Sequence, residues 1–69
     1  MDKNKLLYFI KDKGYRIDEF CKAVGLDKGK FYRRLKNKSF TVQEIWNIAE
    51  FLNLTLDEIN SIFFADYVS

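Results

Sequence analysis

The chain contains no histidine and no proline, one cysteine and three glycines. Without histidine and with a single thiol there is no ligand set for zinc or haem, and no Cys–His or Ser–His pair for nucleophilic catalysis. Neither a metal, a cofactor nor an enzymatic activity is therefore expected. Cys21 has no partner for an internal disulfide, which points to a reducing cytoplasm. Missing proline and scarce glycine favour helices joined by short turns. No apolar run approaches the roughly 20 residues of a membrane-spanning helix. The start, Met1-Asp2-Lys3-Asn4-Lys5 followed by five apolar residues, does not read as a secretory leader. There is no internal repeat and no low-complexity segment.

One further absence is positional. No Lys or Arg follows Lys38. Residues 1–39 carry all 12 cations against five carboxylates, a net +7, whereas residues 40–69 carry five carboxylates and no cation, a net −5. The overall charge of +2 hides this split. A polyanion would be drawn to one half and repelled by the other, so it would bind in one orientation. A length of 69 residues with 48% hydrophobic content bounds the chain to one globular domain, residues 1–69, with a small core.

The most strongly patterned stretch is Asp27-Lys28-Gly29-Lys30-Phe31-Tyr32-Arg33-Arg34-Leu35-Lys36-Asn37-Lys38. Six of its residues are basic, and Phe31 and Leu35 are spaced by one helical turn. A short helix capped by Asp27 would anchor those two side chains and present cations elsewhere. Phosphate is the natural partner of such a surface, and Arg and Lys also reach base edges.

The rest of the chain divides around it. Lys3 to Lys13 reads as helix 1, with Leu6, Phe9, Ile10 and Lys13 on one side, Leu7 and Tyr8 off the stripe, and Gly14 as the stop. Ile17 to Val24 reads as helix 2, with Phe20, Cys21 and Val24 inward and Asp18 and Glu19 at its positive end. Gly25 closes it, Leu26 plugs the corner, and helix 3 runs to about Asn37. Two short helices joined by Gly25-Leu26-Asp27 have helix-turn-helix spacing. Thr41 and Glu44 form a capping box with Phe40 and Ile45 as its staple, opening a helix from Val42 to about Leu52. Val42, Ile45, Trp46, Ile48, Ala49 and Leu52 make its broad apolar face. Thr55 and Glu58, with Leu54 and Ile59, repeat the device for a helix from Leu56 to about Phe64. Leu56, Ile59, Phe63 and Tyr67 are its inward stripe. Phe51, Ile62 and Phe64 fall off these faces; they are either partly exposed core residues or a self-association surface.

Two chemical patterns are set aside. Gly25 to Phe31 is one residue short of a phosphate loop and has Phe31 where Ser or Thr must meet the metal. Asp18-Glu19 and Asp57-Glu58 are adjacent on helices and serve the helix ends better than paired acid–base chemistry. Cys21 reads as a small core filler.

From Leu6 to Phe63 this layout resembles the Cro/CI-type (XRE-like) helix-turn-helix family of phage-repressor-like regulators. The residues that carry the resemblance are Glu19-Phe20-Cys21, Val24-Gly25-Leu26-Asp27, Phe31, Ile45, Ile48-Ala49, Leu52, Leu54 and Leu56-Asp57-Glu58-Ile59. The resemblance implies an all-α fold, a compact five-helix bundle like the lambda-repressor DNA-binding domain, with helix 3 reading double-stranded DNA. Cys21 stands where the family usually has Ala. Arg16 and Ile17 stand where it often has Thr-Gln, so the side-chain phosphate contact of that Gln is missing and Arg16 is the replacement. Gly29 stands at a position that often reads a base; it permits either a closer approach to the groove or nothing at all.

The resulting expectations are specific. Helix 3 enters the major groove, with Arg33 first, then Lys28, Lys30 and Tyr32 reading bases. Arg16, Arg34, Lys36, Asn37, Lys38 and Ser39 contact phosphates, the last three through a turn with free N–H groups. About five phosphates per protomer would give a salt slope near −4.5. Useful specificity needs a homodimer, formed in solution or only on DNA, through Phe51, Ile62, Phe64 or Val68. The function expected is a transcriptional regulator acting as a repressor, bacterial or phage-encoded. The competing reading is an antitoxin or antirepressor-like protein-interaction module of the same fold, using the acidic, aromatic half.

Overall fold

Polar residues just outside each apolar segment set the helix boundaries. In the computed structural model, which describes residues 1–67, Asp2 accepts from the Lys5 N–H at 3.0 Å and opens α1, Lys3–Asp12. Asp27 accepts from the Lys30 N–H at 2.7 Å and opens α3, Lys28–Asn37. Thr41 and Glu44 bond reciprocally at 3.1 and 2.9 Å before α4, Val42–Leu52. Thr55 and Glu58 do the same at 3.1 and 2.7 Å before α5, Leu56–Phe63. Each such cap stabilises its helix by about 0.5–2 kcal/mol, a large increment for a core this small. The second helix, α2 (Ile17–Val24), has half a box. Glu19 accepts from the Arg16 N–H at 3.0 Å, and an arginine side chain offers no acceptor in return.

The helix ends are equally local. Gly14 and Gly25 take the left-handed conformation, at φ 88° and 76°, after α1 and α2. A Cβ built on Gly25 would meet nothing within 4 Å. Glycine is needed there for its φ, not for space. After α3 and α4 the same cap falls on Lys38 and Asn53, both at φ 53°. A short 3-10 helix, Ala65–Tyr67, follows α5 and had no counterpart in the sequence reading.

The five α-helices, with no strand among the described residues, enclose one core of Leu6, Ile10, Phe20, Cys21, Leu26, Phe31, Leu35, Ile48, Ala49, Leu52, Ile59, Ile62 and Phe63. A chain of aromatic rings runs through it. Phe51 meets Phe20 at 5.9 Å, Phe20 meets Phe31 at 5.5 Å, Phe31 meets Phe40 at 6.0 Å, and Phe40 meets Phe63 at 6.0 Å. α2 lies against both α3 and α4, and α1 lies against α5. The Asp2 N–H donates to the Ile62 carbonyl at 2.7 Å, which fixes the start of α1 beside the end of α5.

The packing reassigns several faces. Ile62 is fully buried because α1 covers that flank of α5. Phe51 is a partly exposed core residue, one of the two readings left open: α2 covers the far side of α4 and the Tyr15 ring packs against it, tilted, at 4.6 Å. In return Val42, Trp46 and Leu56, expected inward, are 70%, 55% and 68% exposed. Val42 and Leu56 sit in first turns, ahead of the packed part of each helix, and Trp46 continues the Val42 side of α4. Tyr67 and Lys13, also placed on inward stripes, are exposed. Phe64 caps α5 and is 38% exposed; Val68 lies outside the described residues.

Candidate nucleic-acid interface

The corner between α2 and α3 is built from three residues with separate tasks. Gly25 turns the chain, Leu26 is buried beneath the turn, and Asp27 accepts from the Lys30 N–H in the first turn of α3. The Gly25 and Leu26 N–H groups both return to the Cys21 carbonyl. Cys21 is 3% exposed, small enough to let the two helices meet. Burial pushes its thiol above the ordinary cysteine range, the nearby Lys28 only partly offsetting this, so the site does not generate a thiolate.

α3 is held by Phe31 and Leu35, at 0% and 5% exposure. That fixes which side faces out. Lys28, Gly29, Tyr32, Arg33, Lys36 and Asn37 are exposed, and Lys30 is half-buried. Tyr32 also packs its ring edge-on to Phe31 at 5.6 Å, so its hydroxyl is presented by a braced ring. Around Gly29 the only close atom to an added Cβ is the Asp27 Oδ1 at 3.4 Å, an ordinary contact. At the start of α2, Arg16 is exposed and its Nε lies 3.8 Å from the Asp18 carboxylate, a solvent-screened pair that leaves the guanidinium accessible.

Arg34 departs from the expected set. Its Nε lies 3.1 Å from the Glu44 carboxylate, with both side chains largely covered, and its Nη1 donates to the Ser39 carbonyl at 3.5 Å. The Nε–H does not point along the short contact, so charge rather than a linear hydrogen bond holds the pair. Arg34 thus ties α3 to α4 instead of facing outward. The sequence held the signal, because Arg34 follows Phe31 by three residues and shares its inward stripe. The turn after α3 also differs from expectation. The Lys38 and Ser39 N–H groups both donate to the Arg34 carbonyl, and Asn37 is the last helical residue. The side chains of Asn37, Lys38 and Ser39 are exposed, but the Lys38 and Ser39 backbone donors are already engaged.

Lys28, Arg33 and Lys36 are exposed on one helix presented by a helix-turn-helix corner, while Lys3, Lys5, Lys11, Lys13, Arg16 and Lys22 are exposed on or beside α1 and α2. The family model for the Cro/C1-type HTH (helix-turn-helix) DNA-binding domain matches residues 5–64. The chain belongs to that family. As a Cro/C1-type domain it is a DNA-binding module of transcription regulators. Neither the curated proteins nor the solved structures compared with the chain include a match. In this Cro/C1-type domain no group of three or more carboxylate, cysteine or histidine side chains is arranged to hold a metal ion, among the described residues. No described helix is long and apolar enough to cross a membrane.

One structural partner was missed by the sequence reading. Glu44 was expected only as a capping residue; it also neutralises Arg34 and so sets how α4 meets α3. A paired charge this far from its partner in sequence has no local signature.

Proposed function

We propose that residues 1–69 act as one sequence-specific double-stranded-DNA-binding unit, a repressor that inserts α3 into the major groove N-terminus first. The observation that carries this is the division of α3. Phe31 and Leu35 are buried, Asp27 caps the helix, and Lys28, Tyr32, Arg33 and Lys36 are left exposed on a rigid element. Arg33 is the first base reader, with a guanidinium suited to two parallel bonds to guanine; Lys28, Lys30 and Tyr32 assist. Arg16, Lys36 and Lys38, with the Asn37 and Ser39 side chains, hold phosphates. Arg34 is withdrawn from that role because Glu44 already engages it. Counting only the cations of this set, Arg16, Lys36 and Lys38, three neutralised phosphates give an expected salt slope of about −2.7 per protomer.

Two copies would bind a two-fold operator with half-sites about 34 Å apart. With Ile62 buried and Phe51 packed on Tyr15, Phe64 is the described residue left from the expected pairing surface. Phe64 shares a groove with Lys38, Phe40 and Tyr67, so pairing there would bring the ends of the two α3 helices together. A bacterial or phage-encoded protein working in a reducing cytoplasm fits the buried free thiol of Cys21.

Selection of bound duplexes from a random pool tests the proposal. Enrichment of a short motif, repeated with two-fold symmetry, is the expected outcome. Binding to all duplexes alike would reject sequence-specific reading. Sedimentation with and without the selected duplex then tests pairing: a monomer in both conditions eliminates the dimer.

A further inference from the structure

We propose that the acidic half carries a second binding site, a groove between α4 and α5 that takes a basic side chain from an amphipathic helix of a partner protein. The groove is about 280 Å³ in volume and is lined by Trp46, Ala49, Glu50, Asn53, Leu54 and Ile59. Its floor is apolar, with Ala49 and Ile59 buried. Its wall is the indole of Trp46, 55% exposed, and its rim carries the Glu50 carboxylate one helical turn further on. Exposed Val42, one turn before Trp46, and exposed Leu56, next to Leu54, extend the apolar surface beyond the groove.

Charge selects the occupant. Of the five carboxylates in residues 40–69, three have internal tasks. Glu44 pairs with Arg34, Glu58 accepts from the Thr55 N–H, and Asp66 pairs with the Met1 ammonium. The Glu50 and Asp57 carboxylates have no hydrogen-bonded or ion-paired partner among the described residues, and both are exposed. An arginine side chain fits each element at once: its methylene stem on the apolar floor, its guanidinium on the Trp46 face and against Glu50. A second copy pairing symmetrically on this face would set its own Glu50 and Asp57 among like charges, with no Lys or Arg in that half to relieve them. The groove lies on helices other than α3, so DNA and a basic partner would bind together.

Trp46 is the sole tryptophan, so its emission reports the groove directly. The probe is a synthetic amphipathic helix of Leu, Ala and Arg, compared with the same peptide bearing Glu for every Arg. The expected result is a saturable change in Trp46 emission with the Arg peptide alone. Glu50→Lys should weaken it about tenfold. Asp12→Lys, which makes the same charge change at an exposed carboxylate on α1, should have no effect. Thermal melting confirms that both variants fold. Equal binding of both peptides, or equal loss in Glu50→Lys and Asp12→Lys, would overturn the proposal. So would concentration-dependent dimerisation abolished by Trp46→Glu, which would assign the face to a second copy.

Discussion

Replacing Lys38 with glycine should make this domain more stable and a weaker DNA binder at once. Lys38 caps α3 in the left-handed region at φ 53° and ψ 45°. That conformation costs an L-residue about 1–2 kcal/mol, because Cβ crowds the following carbonyl. Glycine removes the crowding but adds about 0.5–1 kcal/mol of unfolded-chain freedom. The net gain is about 0.5–1 kcal/mol, which raises Tm by roughly 2–8 °C in a domain of this size. The Lys38 N–H keeps its bond to the Arg34 carbonyl, since the substitution leaves the backbone unchanged. The lost ammonium removes one phosphate contact, lowering the salt slope by about 0.9. Asn53 is the matched control, at φ 53° and ψ 48° after α4. Asn tolerates this region better than Lys, so Asn53→Gly should stabilise less and leave DNA affinity unchanged. Circular-dichroism melts and fluorescence anisotropy across a salt series measure both effects. Destabilisation by Lys38→Gly would refute the strain argument. An unchanged slope would remove Lys38 from the phosphate set.

Other substitutions test separate links. Gly29→Ala should stabilise α3 by about 1 kcal/mol, because the added Cβ makes only an ordinary contact with Asp27; unaltered affinity for a selected duplex would show that no close backbone approach is needed there. Glu44→Ala removes an N-cap acceptor and leaves a largely covered guanidinium unpaired, so a loss of about 1–3 kcal/mol is expected in denaturant melts. Arg34→Met in the Glu44→Ala background should recover part of it, and strict additivity of the two changes would deny their coupling. Glu58 has its carboxyl held below the usual range, first by the Thr55 N–H that it accepts. Stability from this group is present above the ordinary carboxylate pKa and is lost as pH falls through the lowered folded value. Glu58→Gln should therefore flatten the acid limb of a Tm-against-pH curve, and an identical limb would show that the cap contributes nothing to it.

How far the sequence could be read depended on the range of the interaction. Caps act within four residues, so Asp27, the Thr41–Glu44 and Thr55–Glu58 boxes and Gly25 located the helices almost to the residue. Inward stripes were legible where the helix is covered on one side only, as with Phe31 and Leu35 in α3. They failed where neighbours arrive from another direction. α4 is covered by α2 on the side of Phe51, and α1 covers Ile62, so a single helical wheel left both off the inward stripes. First turns misled in the opposite sense: Val42 and Leu56 have the right angle but lie beyond the packed length. Of the candidate interface, the exposed cations of α3 followed from its stripe. Arg34 shares that stripe with Phe31, but its partner Glu44 comes from the next helix and only the fold brings them to 3.1 Å.

Chemical interference on a selected duplex tests the central claim most directly. Guanine N7 lies in the major groove and adenine N3 in the minor groove. If α3 reads the major groove through Arg33, methylation of one guanine N7 in each half-site should block the wild type and have no further effect on Arg33→Ala. Interference confined to adenine N3, or equal sensitivity of Arg33→Ala at that guanine, would contradict the account.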